Sequence, residues 1–226
     1  MNVAVIPARG GSKRIPKKNI KPFCGKPIVA YSIETAIASK LFDRVIVSTD
    51  DKEIADIVIQ YGAEAPFTRP ADLSDDYAGT ATVVGHTVKW MMDKGYSANS
   101  VCCIYATAPL IRSDDLIRSY EVFQTDKWDY VFSATEYAYP IQRSFRIRRD
   151  GSVEMFSPEK FIKRSQDLEK AYHDAGQFYW GKPNAWLKGV KMFGPTAAIY
   201  ELPPQRVQDI DTAEDWKRAE LLYQLI

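Results

Sequence analysis

Val3-Ala4-Val5-Ile6 runs directly into Pro7-Ala8-Arg9-Gly10-Gly11-Ser12-Lys13-Arg14-Ile15-Pro16-Lys17-Lys18-Asn19. The first four residues read as a short buried strand. The turn that follows packs five cations into the eleven residues from Arg9 to Asn19. Gly10 and Gly11 let the backbone approach a bulky anion, and successive N–H groups beside Ser12 can form an anion-binding nest. Arg9, Lys13 and Lys18 add charged donors where a triphosphate places its oxygens. The stretch lacks the Gly-x-x-x-x-Gly-Lys-Ser/Thr pattern of the P-loop and the Gly-x-Gly-x-x-Gly of dinucleotide sites. A basic surface turn is the plainer reading, but the cation density beside a buried strand favours a phosphate cradle.

Working outward, strand and helix patterns alternate. Helical apolar spacing covers 28–39, and a second strand covers 44–48 with Val45-Ile46-Val47 at its centre. Ser48-Thr49-Asp50 reads as the cap of a helix over 51–61, closed by Gly62. A short strand is expected at 65–67. A helix follows over 80–95, for which Thr80 is placed to cap, then an apolar strand over 101–105. A helix over 114–125 after a Ser113 cap and a strand over 130–134 continue the rhythm. Strands spaced by helices predict an α/β fold with a mainly parallel sheet covered on both faces. From Tyr139 the pattern changes to a polar hairpin around Asp150-Gly151, flanked by 143–149 and 153–155. Residues 139–170 read as an excursion that pairs with a second subunit. Strands at 176–180 and 197–200 and a helix over 213–225 complete the chain.

Composition narrows the function. The 226 residues suit one large α/β domain. Lys+Arg number 30 against 29 Asp+Glu, so the net charge of +1 argues against nucleic acid as a partner, and the cations serve a small local anion. No apolar run is long enough to span a membrane. Cys24, Cys102 and Cys103 form neither a zinc pattern nor a disulfide framework. With a strand at the very start and no signal peptide, the expectation is a cytoplasmic protein.

Other constellations carry chemistry. In Asp209-Ile210-Asp211 an extended backbone would turn both carboxylates to one face, a pair suited to magnesium shared with substrate phosphates. The competing reading has Asp211 or Thr212 capping the last helix, with Glu214 or Asp215 completing a capping box. Asp209 has no capping use. Tyr105 and Arg112 bracket the turn after a central strand, where ligands collect in open α/β sheets. Arg164, Gln166, His173, Asp174 and Gln177 concentrate polar groups ahead of a strand, as an acidic, hydroxylated sugar would need; a solvated loop is the alternative.

In this order, these pieces resemble the acylneuraminate cytidylyltransferase family, over nearly the whole chain. The loop from Pro7 to Asn19 is similar to the family signature. Phe42-Asp43-Arg44-Val45-Ile46-Val47-Ser48-Thr49-Asp50, Arg69-Pro70-Ala71-Asp72-Leu73 and Asp209-Ile210-Asp211-Thr212 match three further motifs. The resemblance implies one domain over 1–226, with a three-layer Rossmann-like nucleotidyltransferase fold and a homodimer built through 139–170. It implies CTP and a nonulosonic acid as substrates and Mg2+ on Asp209 and Asp211. Nucleotide contacts are implied from Pro7, Ala8, Arg9, Gly10, Gly11, Ser12, Lys13, Asn19, Arg69, Ala78 and Thr80, with Arg9, Lys13 and Lys18 along the triphosphate.

The shorter Ser/Thr-Arg-Leu-Pro-Gly-Lys loop of the related Kdo-activating enzymes is absent. The sugar side departs from the sialic acid pattern: Tyr105 stands in place of a Gln, Ser165 in place of an Arg, and Asp174-Ala175-Gly176-Gln177 in place of the usual Asn-Gly-Ala. These departures resemble the branch that activates pseudaminic acid. N-acetylneuraminate activation, or a catalytically silent nucleotide- or sugar-binding module, are the other readings.

Overall fold

The structure is a computed structural model describing residues 1–75 and 78–225. Asp76 and Tyr77, within the expected nucleotide segment, lie outside the described residues. The chain order is β1 (Asn2–Pro7), β2 (Pro22–Phe23), β3 (Lys26–Pro27), α1 (Ile28–Ser39), β4 (Arg44–Ser48), α2 (Lys52–Gln60), α3 (Thr80–Asp93), β5 (Ser100–Ile104), α4 (Ser113–Phe123), β6 (Tyr130–Glu136), β7 (Phe145–Ile147), β8 (Val153–Met155), β9 (Tyr172–Gly181), α5 (Pro183–Lys188), β10 (Ala197–Glu201) and α6 (Ala213–Gln224). Six strands form one sheet in the order β10-β6-β9-β5-β1-β4. All neighbours are parallel except β9, which runs antiparallel to both β5 and β6.

Alternation along the strands builds two cores. Ala4 and Ile6 of β1, with Cys102 and Ile104 of β5, face Val29 and Ile33 of α1, Ile54 of α2 and Leu116 of α4. Val3, Val5, Val101 and Cys103 face the other way, onto Val84 and Val88 of α3 and Trp186 of α5. The result is the expected three-layer α/β architecture. A third, smaller cluster joins Ile15, Phe23, Ile28, Tyr31, Ile210 and Trp216. It ties the loop after β1 to the segment before α6.

Several elements differ from expectation. The short strand at 65–67 reduces to isolated bridges, Ile46 with Glu64 and Thr49 with Thr68. Pro66, which lacks an N–H, interrupts any ladder between them. Asp51, not Asp50, caps α2, accepting from the N–H groups of Glu53 and Ile54 at 2.7 and 3.2 Å. Thr80 does not cap α3; Gly79 holds that position and the Thr80 side chain faces Tyr105. The polar stretch His173-Asp174-Ala175-Gly176-Gln177 lies inside β9, where a bulge replaces regular pairing between Phe132 and Ala134 of the neighbouring strand. The excursion contains the expected hairpin, β7 against β8, with Gly151 at φ +84° in its turn.

Candidate active site

The C-terminal end of β1 opens into a cavity of about 310 Å³. Pro7, Arg9, Ser12, Lys13, Lys18 and Asn19 line one side of it. Arg69, Ala78, Thr80 and Tyr105 line the other, and Asp211 stands at its edge. Residues far apart in the chain meet here because β1 and β5 are adjacent and parallel, so their following loops leave the sheet side by side. Arg14 joins Arg9, Lys13, Lys18 and Arg69 in the lining, giving five cations against the carboxylates of Asp75 and Asp211. That surplus suits a polyanion. Arg14 was not singled out in the sequence, where it is one cation in a run.

The cradle is held in place from behind. Asn19, 7% exposed, donates its amide to the Arg9 carbonyl at 2.9 Å and stiffens the loop across its base. Ala8 is fully buried and its N–H donates to the Ser48 carbonyl at 2.9 Å. The Gly10 N–H donates to Asp50 Oδ1 at 3.0 Å, so this amide serves the protein rather than an open nest. Neither Gly10, Gly11 nor Ala8 lines the cavity. Arg9 reaches across to the Asp75 carbonyl at 2.6 Å. Arg69 is 4% exposed, with its Nε on the Ser74 hydroxyl at 3.1 Å, and burial lowers its pKa.

The carboxylate pair flanks Ile210, which is fully buried in the third cluster. Thr212 and Asp215 form the capping box of α6, leaving Asp211 without a capping duty. Asp211 Oδ1 lies 2.9 Å from Arg14 and 3.4 Å from Lys18, whose Nζ also donates to the Ile210 carbonyl at 2.7 Å. Asp209 is exposed and does not line the cavity, yet the protein packed around its carboxyl raises its pKa, and the Asp211 charge adds to the rise. Two mutually repelling carboxylates beside a cation-rich cavity fit a hard divalent cation shared with phosphate oxygens. No cluster of three or more His, Cys, Asp or Glu side chains suited to a metal occurs among the described residues.

Of the residues expected on the sugar side, only Tyr105 lines the cavity. Its hydroxyl meets that of Thr80 at 3.0 Å, and its ring packs on Tyr179 at 5.2 Å between centroids. Burial raises the pKa of both tyrosines. Asp174 accepts from the Tyr179 hydroxyl at 2.7 Å and from the Gly176 N–H at 2.9 Å, so the β9 bulge supports Tyr105 from behind. The His173 ring packs against Tyr137. Gln177 is 2% exposed and donates its amide to the Arg206 carbonyl, facing the interior rather than the cavity. Arg164 pairs with Asp167 at 2.8 Å, and Gln166 borders a separate small cavity with Tyr139 and Glu169.

A sheet whose strand ends frame a cation-lined cavity defines a nucleotide-binding α/β protein. The chain belongs to the cytidylyltransferase family, whose model matches residues 3–201. It is 47% identical over 224 residues to a pseudaminic acid cytidylyltransferase of Campylobacter jejuni subsp. jejuni serotype O:2, covering 99% of this chain and 97% of that protein. It is 31% identical to a CMP-N,N'-diacetyllegionaminic acid synthase of Legionella pneumophila, covering 99% and 96%. The fold is similar to that of a CMP:2-keto-3-deoxy-manno-octonic acid synthetase complexed with CTP, with a TM-score of 0.72, 18% identity and coverage of 100% and 99%.

Proposed function

We propose that this chain transfers CMP from CTP to the anomeric hydroxyl of pseudaminic acid, releasing pyrophosphate. The observation that carries the reading is the single cavity in which the glycine-turn cations, Arg69 and Tyr105 converge, with Asp211 at its edge. The full-length similarity to a pseudaminic acid cytidylyltransferase supports the choice of sugar. In this reading the sugar oxygen attacks the α-phosphorus and the bond to the β-phosphate oxygen breaks. Such chemistry needs alignment and charge neutralisation more than covalent help. Arg9, Lys13 and Lys18 neutralise the departing pyrophosphate, and Arg69 supplies a donor from a desolvated position, where it acts more strongly than in water. Asp209 and Asp211 would hold Mg2+, which when bound screens the phosphate charge and polarises the attacking hydroxyl.

The sugar preference follows from Tyr105. A glutamine there would offer an amide to a hydroxylated side chain. Tyr105 has its hydroxyl on Thr80 and offers a ring face, which suits a deoxy carbon and its methyl group. An N-acetylneuraminate side chain would leave polar groups unpaired against that ring, a mismatch that discriminates strongly. The excursion supports a homodimer: Tyr139, Ile147, Phe161 and Ile162 are 84%, 75%, 66% and 90% exposed, too much apolar surface to leave in water. Three unpaired thiols, two of them buried, suit a reducing cytoplasm. No helix among the described residues is long and apolar enough to cross a membrane.

The test is pyrophosphate release with each nucleoside triphosphate and a panel of nonulosonic acids. The reading expects CTP and pseudaminic acid to give the highest kcat/KM, with ATP, GTP and N-acetylneuraminic acid poor. Equal kcat/KM for the two sugars would reject the sugar assignment, and equal turnover with ATP would reject the cytidine site.

A further inference from the structure

Asp50 lies just beyond β4, does not line the cavity, and takes no part in the reaction described above. Its Oδ1 accepts the Gly10 N–H at 3.0 Å and lies 3.6 Å from the Arg69 guanidinium. One oxygen therefore links the glycine turn to Arg69. The backbone reinforces this: the Ala8 N–H donates to the Ser48 carbonyl and the Arg69 N–H donates to the Thr49 carbonyl at 2.7 Å, so both segments are anchored on the residues leading to Asp50.

The geometry points to Asp50 as a positioning residue for the nucleotide, acting through Gly10 and Arg69. A guanidinium 3% exposed and close to the charge of Arg9 is costly without a counter-charge. At 3.6 Å Asp50 supplies the charge but is too distant to accept a hydrogen bond. Arg69 Nη2 is buried with no hydrogen-bond partner, in a side chain that lines the cavity. The carboxylate thus stabilises the buried cation by charge and holds the Arg69 side chain in the cavity wall. Through the Gly10 N–H the same oxygen fixes the turn that sets the heights of Arg9, Ser12 and Lys13. This role rests on the proposed nucleotide site and adds the group that organises it.

The test uses the full chain with Asp50→Ala and Asp50→Asn, measuring CTP affinity by calorimetry, KM for both substrates and thermal midpoint. Asp50→Ala removes both links and should weaken CTP binding and raise its KM by between roughly tenfold and a hundredfold. Asp50→Asn keeps an acceptor for Gly10 but no charge for Arg69, and should recover part of the loss. KM for the sugar should stay within about twofold in both variants, which a merely structural defect would not leave alone. CTP binding unchanged in both variants overturns the positioning role while leaving the cytidylyltransferase reading intact. Parallel loss toward both substrates with a lowered thermal midpoint also overturns it, because the role is then structural. Wild-type protein that binds no CTP overturns the reading and this inference together.

Discussion

A Cβ added at Gly10 meets Asp51 Oδ2 at 2.6 Å and Asp51 Cβ at 2.9 Å. Asp51 cannot retreat freely, because its other oxygen caps α2. Gly10→Ala should therefore destabilise the protein by about 1–3 kcal/mol in denaturant unfolding and shift the cradle enough to weaken CTP binding. Full stability with wild-type affinity would show that the turn has room to move. His86 gives a pH signature. It packs on Phe67 with Nδ1 buried and unpaired, and burial lowers its pKa, Asp72 opposing and Arg69 assisting. The folded protein keeps His86 neutral, so its contribution is present above the unfolded pKa of about 6.5 and is lost as pH falls below it. Thermal midpoints should decline across that window, and less so in His86→Gln; identical profiles would remove His86 as the cause. The glycine turn was legible in the sequence because its cations are contiguous. The Asp50 and Arg14 contacts were not, since neither residue differs in type from a solvated charge until the fold brings its partner.

At the scale of elements, α6 and the segment before it separate two kinds of carboxylate. Thr212 and Asp215 hold the helix; Asp211 faces Arg14 and Lys18. Thr212→Ala should cost about 1 kcal/mol of stability. Asp211→Ala should cost at most about 1 kcal/mol, as exposed ion pairs do, and abolish turnover. Asp209→Ala should likewise abolish turnover without unfolding, and metal-dependent activity surviving in either carboxylate variant would exclude the pair as the metal site. Sequence spacing left the cap and the metal roles of Asp211 open, because both need a carboxylate at the same place. Helix α1 and strand β4 were readable to the residue from their periodicity. The direction of β9 was not: an apolar run states that a strand is buried, not which way it runs. The β9 bulge, which sets Asp174 under Tyr179 and so under Tyr105, depends on pairing with β6 that no local pattern encodes.

For the whole molecule, a near-neutral net charge with a concentrated basic cavity confines the attraction for anions to one site. The proposed homodimer rests on the exposed apolar excursion. Sedimentation of the wild-type chain should give a dimer, and Ile162→Asp with Phe161→Ser should shift it toward monomer with the fold retained; a monomeric wild type at micromolar concentration would contradict the pairing. The central claim is cytidylyl transfer itself. Its most direct measurement incubates the protein with CTP, Mg2+ and pseudaminic acid, and follows the CMP-sugar by mass spectrometry alongside pyrophosphate. The account predicts the two products in equal amounts, both dependent on the sugar. Saturable CTP binding with neither product formed, or pyrophosphate released at the same rate without sugar, would contradict it.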